Sequence, residues 1–264
     1  MLNLLFLDQE YIAHTLNLKQ YFLRFLLAQK PFPIQIGDAR FLIEPRSSDW
    51  FTIYEIYSAR GYLPKLPHLR PNINVVVDFG ANIGVYSIWA TKMFHPKSVY
   101  AVEMEPNCYQ RLVNNIALNH LDETIRAFQA AIFNQSGMVG TKKIPRSTFF
   151  QVAPDKAARR VRSFSFEDFL KHTGLERIDL LKIDIEGAEK YLLTEANMSL
   201  FQQRVGYILL ETHSLNDFNT EQAVAYLSGL GFRLAMTPTP YVLGRNYIID
   251  ACNPNQTHTL VHTP

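Results

Sequence analysis

The sequence predicts an α/β protein in which helices cover both faces of a mostly parallel sheet, with a helical segment in front of it. From Asn72 onward, short apolar runs alternate with helix-patterned stretches, and repeated β-α units build a parallel sheet. The run over 73–79 is rich in β-branched Val and Ile, as a strand buried on both faces requires. Residues 1–70 lack this alternation and read as a helical cap or lid. The sheet-forming domain then spans 71–264.

In the cap, Ile12, Leu16, Leu23, Leu26 and Leu27 recur at helical spacing over 9–29, and Pro31 and Pro33 stop that helix. An extended piece, 41–43, leads to Asp49, placed to cap a helix over 50–60 that Gly61 ends. Pro64, Pro67 and Pro71 mark a connector. In the sheet domain, strands are predicted over 73–79, 98–103, 125–132, 178–184, 205–211, 232–236 and 241–249. Helices are predicted over 83–93, 106–119, 188–195 and 220–230, and from Ser165 to about residue 172. Pro106 suits a first helical turn, and the stretch from Ser165 to Asp168 fits a capping signal. The last two strands have no helix between them, so an antiparallel hairpin at a sheet edge is expected.

Composition excludes several classes. With 47% apolar and 19% charged residues over 264 positions, the chain is not disordered. A net charge of +2 argues against a protein whose main task is gripping nucleic-acid phosphates. Cys108 and Cys252 form no disulfide framework and lack metal-ligand spacing, which fits a reducing compartment. The N-terminal apolar run has no basic leader and is interrupted by Asp8 and Glu10. No apolar stretch is long enough to span a membrane. A soluble, cytoplasmic protein is expected.

The chemistry concentrates at strand ends. The first sheet strand ends in Asp78-Phe79-Gly80-Ala81-Asn82-Ile83-Gly84, a glycine-containing turn that opens a helix. Ligands of such sheets bind at the carboxyl ends of the strands, and Gly80 and Gly84 let backbone approach a ligand. The pattern G-x-G-x-x-G fails, since Asn82 and Val85 stand where glycines belong, so a pyrophosphate turn and an NAD-dependent dehydrogenase are disfavoured. The second strand ends in Glu103, an acid placed to accept both hydroxyls of a ribose, while Glu105 caps the Pro106 helix. The fourth strand ends Lys182-Ile183-Asp184-Ile185-Glu186-Gly187-Ala188-Glu189; Asp184 and Glu186, two apart, point the same way in an extended stretch. Lys182, inside an apolar strand, is expected to pair with an acid. The fifth strand adds Glu211 and His213 at the same sheet edge.

These blocks, with Ala130-Ala131-Ile132, Ser136-Gly137 and Leu210-Glu211, resemble the FkbM family of S-adenosylmethionine-dependent methyltransferases over roughly residues 40–250. The resemblance implies the class I methyltransferase (Rossmann-like) fold, a seven-stranded sheet with one antiparallel strand. It also implies S-adenosyl-L-methionine as cofactor. By motif position, the turn Asp78, Gly80, Ala81, Asn82 and Gly84 would hold the methionine part, with Tyr86 and Ser87 adding contacts to its carboxylate. Glu103 would bind the ribose, Met104, Ala131 and Ile132 would flank the adenine, and Asp184 would lie near the sulfonium and amino group. The family's usual proline directly after the ribose acid is displaced here by Met104-Glu105.

Methyl transfer from a sulfonium is an in-line displacement that asks mainly for alignment and exclusion of water. For an alcohol acceptor, His213, Asp184 and Glu186 are the candidate bases. Asp184, Glu186 and Glu211 offer oxygen ligands to a divalent metal, but a carboxylate pair suits the cofactor's ammonium too, and no metal is assigned. The expected reaction is O-methylation of a hydroxyl or carboxyl on a small natural-product or sugar-type metabolite. Seven basic residues (Lys142, Lys143, Arg146, Lys156, Arg159, Arg160 and Arg162) against Asp155 alone suggest an acidic acceptor, with a solvated basic loop as the plainer reading. An RNA or protein methyltransferase and a non-catalytic cofactor-binding protein are the alternatives. The aromatic group Trp50, Phe51, Tyr54, Tyr57 and Tyr62 either lines the pocket or packs the core, and the N-terminal helix suits an interface between copies as well as a lid.

Overall fold

A computed structural model describes residues 22, 26–45, 47–59, 61–66, 73–143, 150–152, 159–213, 218–239 and 247–256. Most of the predicted helix over 9–29 lies outside them. An antiparallel hairpin, β1 (Phe32–Ile36) and β2 (Ala39–Ile43), follows. The first of these strands was not expected, because Pro31 and Pro33 read only as a stop signal. Pro33 is tolerated because it stands on the exposed face of a two-stranded ribbon, while Phe32, Ile34 and Ile36 alternate inward.

Helix α1 (Asp49–Ile53) continues into a π-helical turn, Tyr54–Ser58. Its cap position is Ser48, one residue before the predicted cap. Asp49 instead sits buried in the first turn, where its carboxylate accepts the Glu44 backbone N–H (2.7 Å) and pairs with the Arg111 guanidinium.

The main sheet is seven-stranded. Its parallel core is β3 (Val75–Phe79), β4 (Ser98–Glu103), β5 (Ile125–Gln129), β10 (Ile178–Ile183) and β11 (Val205–Thr212). The edge is β12 (Arg233–Pro238) and β13 (Tyr247–Cys252), in the order β12-β13-β11-β10-β3-β4-β5. Only β13 runs against its neighbours, lying antiparallel to both β11 and β12. The predicted strand over 125–132 is split: β5 ends at Gln129, and β6 (Ala131–Ile132) joins a second sheet. That sheet, β6-β9-β7-β8, also takes β7 (Gly137–Lys143), β8 (Phe150–Val152) and β9 (Arg159–Phe164). Much of the basic run is thus strand rather than loop. In β9 Arg160 and Arg162 point out while Val161 and Ser163 point in, an alternation that the high charge masked.

Helices α2 (Val85–Phe94) and α3 (Pro106–Leu118) pack with the hairpin and α1 on one face, around Ile53, Ile88 and Leu112. On the other face lie α4 (Phe166–Thr173), α6 (Met198–Arg204) and α7 (Thr220–Gly229), around Phe166, Phe169, Phe201 and Leu227. Between α4 and α6 the predicted helix over 188–195 shrinks to α5 (Glu189–Leu192), followed by a 3-10 turn, Glu195–Asn197. Two caps read from sequence are present. The Glu105 carboxylate accepts the Cys108 N–H at 2.7 Å, and Ser165 Oγ accepts the Asp168 N–H at 3.1 Å. Both cysteines are free thiols. Among the described residues no helix is long and apolar enough to cross a membrane.

Candidate active site

A cavity of about 660 Å³ opens at the carboxyl ends of β3, β4, β10 and β11, closed on one side by α1 and its π turn. Of the residues singled out from sequence, Gly80, Ala81, Asn82, Tyr86, Glu103, Met104, Ala131, Ile132, Asp184, Glu186 and His213 line it. Asp78, Gly84 and Ser87 stand behind the wall. Ser87 Oγ donates to Asp78 Oδ2 (2.6 Å), and both are fully buried.

The turn after β3 is fixed by close approach. The Gly80 and Ala81 N–H groups both donate to the Val102 carbonyl at 3.0 Å. Gly80 has φ of +80°, and a Cβ there would lie 1.7 Å from the Asp184 carbonyl oxygen. The left-handed Asn82 (φ +51°) aims its backbone N–H at Glu103 Oε2 (2.8 Å), and the Glu105 N–H donates to Glu103 Oε1 (2.7 Å). Burial pushes the Glu103 carboxyl up to about 7, against the pull of those two donors.

Lys182 faces Asp78 across the β3–β10 register and is 3% exposed. Its ammonium lies 3.3 Å from Asp78 Oδ1, 3.2 Å from Asp184 Oδ2 and 5.1 Å from the centre of the Tyr62 ring. Lys182 pairs as the sequence suggested. Burial opposes the charge on Asp184, but Lys182 and His213 outweigh it and hold the carboxyl below its ordinary value. The Tyr62 hydroxyl lies within hydrogen-bond distance of both Asp184 Oδ2 (3.2 Å) and Glu211 Oε2. His213 Nδ1 bonds Glu189 Oε1 at 2.8 Å, which turns Nε2 toward Asp184 Oδ1 (3.7 Å) and Glu186 Oε2 (3.6 Å). The Glu186 backbone is left-handed, at φ +52°.

Two contributors were missed. Glu55 enters from the π turn, and burial followed by the charges of Glu211 and Asp184 pushes it up to about 9. Its signal was slight: it is the lone acid in the aromatic stretch 50–62. Tyr62 was read only as part of an aromatic group, yet it bridges two carboxylates. Of the basic run, the Arg159 guanidinium lies 3.7 Å from Glu105 Oε1, Arg160 donates to the Met138 carbonyl and Arg162 lies over Phe164. Arg146 and Lys156 lie outside the described residues.

Comparison with known proteins agrees with this geometry. A family model described as the Methyltransferase FkbM domain matches residues 78–234. Methyltransferase sdnD of Sordaria araneosa is 28% identical over 156 residues, covering 47% of this chain and 60% of that protein. The 31-O-demethyl-FK506 methyltransferase FkbM of Streptomyces tacrolimicus is 26% identical over 245 residues, covering 80% of this chain and 88% of its own. A crystal structure of Methyltransferase FkbM from Methylobacillus flagellatus KT shares the fold with a TM-score of 0.54 at 12% identity, over 75% of this chain and 47% of that one. The chain thus spans less than two thirds of two of these three proteins. With the family model matching residues 78–234, and a glycine turn, a half-buried acid at the end of β4 and an acidic strand end gathered on one seven-stranded sheet, the chain belongs to the FkbM methyltransferase domain family.

Proposed function

We propose that this protein transfers the methyl group of S-adenosylmethionine to a hydroxyl oxygen of a small, polyhydroxylated acceptor of natural-product or sugar type. One observation carries the cofactor assignment: a half-buried carboxylate, Glu103, is held by two backbone donors at the end of β4 and shares one cavity with the Gly80–Asn82 turn. The residues fit that cofactor. Glu103 has lone pairs left for ribose hydroxyls. Met104, Ala131 and Ile132 give a largely apolar wall for a flat base, and Gly80 leaves the space that a side chain would fill.

The cofactor, when bound, supplies an electrophilic methyl group on a sulfonium. The chain's own residues do the rest. Glu103 would hold the ribose, and the Gly80–Asn82 turn would hold the methionine part. Lys182 keeps Asp184 ionised, so a negative field faces the end of the cavity where a positive centre is to be held. Asp184, Glu186 and His213 meet there and form the polar centre for the acceptor oxygen. On this reading residues 1–70 cap the site of the domain spanning 71–264, since Ser48, Phe51, Thr52, Glu55 and Tyr62 close the cavity against water.

The test is calorimetric titration with S-adenosylmethionine and S-adenosylhomocysteine, followed by a screen of hydroxylated acceptors for methyl incorporation. Binding of both that is lost in Glu103→Ala supports the reading. A folded protein that binds neither refutes it.

A further inference from the structure

We infer that Asp184, Glu186 and His213 form a divalent-cation site whose open side faces the cavity. Each offers one ligand atom, and these atoms all lie within 4.8 Å of one another. His213 Nε2 stands 3.7 Å from Asp184 Oδ1 and 3.6 Å from Glu186 Oε2. Hydrogen bonds between nitrogen and oxygen need about 2.7–3.2 Å, so these are not direct bonds. They are the separations of two ligands of one ion, because metal–ligand bonds of about 2.0–2.2 Å set neighbouring ligand atoms roughly 3–4 Å apart.

A second observation is the histidine itself. The His213 side chain is only 8% exposed, and among the described residues its Nε2 has no partner at hydrogen-bond distance; it faces Asp184, Glu186 and, at 3.9 Å, Glu211. Its orientation is not accidental. Nδ1 is held at 2.8 Å by Glu189, itself fully buried, and this is the carboxylate–imidazole support that metal-binding histidines receive. Asp184 is likewise braced. Lys182 and Tyr62 engage its Oδ2 and leave Oδ1 for the ion.

One imidazole and two carboxylates suit Mn²⁺, Mg²⁺ or Zn²⁺, with the remaining positions filled by water or by a bound molecule. All three side chains line the cavity, so the natural further ligand is a compound offering adjacent oxygens, such as a vicinal diol or a hydroxy-carbonyl. The proposal rests on the methyl-transfer reading only for that compound's role as acceptor. The ion site stands or falls by itself.

The experiment uses the full chain, stripped with chelator and titrated with MnCl₂ while the free ion is followed by electron paramagnetic resonance. One saturable Mn²⁺ per chain is expected, weakened about tenfold or more in both Glu186→Gln and His213→Gln. In the unsubstituted protein, sub-stoichiometric Mn²⁺ should broaden the ring signals of His213 before those of His95, His120 and His172, which needs no variant to fold. No saturable binding would overturn the proposal. So would binding that both variants keep within twofold, or broadening that leaves His213 untouched. Titration with S-adenosylmethionine without metal is run in parallel, so loss of the ion site and loss of the cofactor reading are separate results.

Discussion

Gly80→Ala should damage both stability and the cofactor site, and the size of the effect follows from contacts around one atom. A Cβ at residue 80 would stand 1.7 Å from the Asp184 carbonyl oxygen and 2.8 Å from its carbon. Ordinary contact begins near 3.4 Å, so the Asp184 backbone would have to retreat by about 1.7 Å. It cannot do so freely, because the Asp184 N–H is bonded to the Phe79 carbonyl at 3.0 Å and its side chain to Lys182 and Tyr62. Overpacking of this kind costs about 1–3 kcal/mol, and forcing alanine into a left-handed conformation adds about 1–2 kcal/mol. The sum, about 2–5 kcal/mol, is a large part of the stability of an ordinary domain. Urea unfolding followed by circular dichroism measures it, with Gly174→Ala as the control. Gly174 has φ of +69° with nothing within 4 Å of a built Cβ, so it carries the backbone penalty alone. Equal losses in the two variants, with cofactor binding retained in Gly80→Ala, would refute the close-approach argument.

Lys182→Met should cost about 3–5 kcal/mol in urea unfolding, because Asp78 and Asp184 lose their buried counter-charge; adding Asp78→Asn should recover part of the loss. Arg111→Ala leaves the buried Asp49 carboxylate without its cation and should destabilise by a similar amount, about 3–5 kcal/mol, read by the same unfolding curves. Cofactor affinity should rise between about pH 6 and about pH 8, since ionised Glu103 is the better acceptor for ribose hydroxyls. Calorimetry across that range tests this, and Glu103→Gln should flatten the dependence. For folding the sign is opposite. With the folded value about 7 and the ordinary value 4.5, the group's contribution is present below pH 4.5 and is lost as pH rises through about 7.

Local chemistry made much of the fold readable. The bounds of β4 agree with the sequence to the residue, because Val99, Tyr100, Ala101 and Val102 form an apolar run closed by Glu103. Glu105 and Ser165 cap their helices through bonds to residues three positions on, an interaction the sequence contains in full. The glycine turn after β3 and the acids after β10 were legible for the same reason: each is a short pattern at a strand end. The second sheet was not legible, since its pairings join residues such as Met138 and Arg162 across a run whose charge suggested a loop.

The sequence by itself determined the order of the main-sheet strands and their helices, the caps at Glu105 and Ser165, and the residue types waiting at each strand end, because those depend on neighbours along the chain. Only the tertiary structure decided which of those residues meet. Tyr62 reaches Glu211 across 149 positions and Asp184 across 122, while Glu55 is turned inward by a π-helical turn with no sequence signature. His213 Nε2 faces two carboxylates because Glu189, 24 residues away, holds its other nitrogen. Such contacts are set by the packing of residues 49–62 against the strand ends and by the need to pair charges removed from water, and both act through space rather than along the chain.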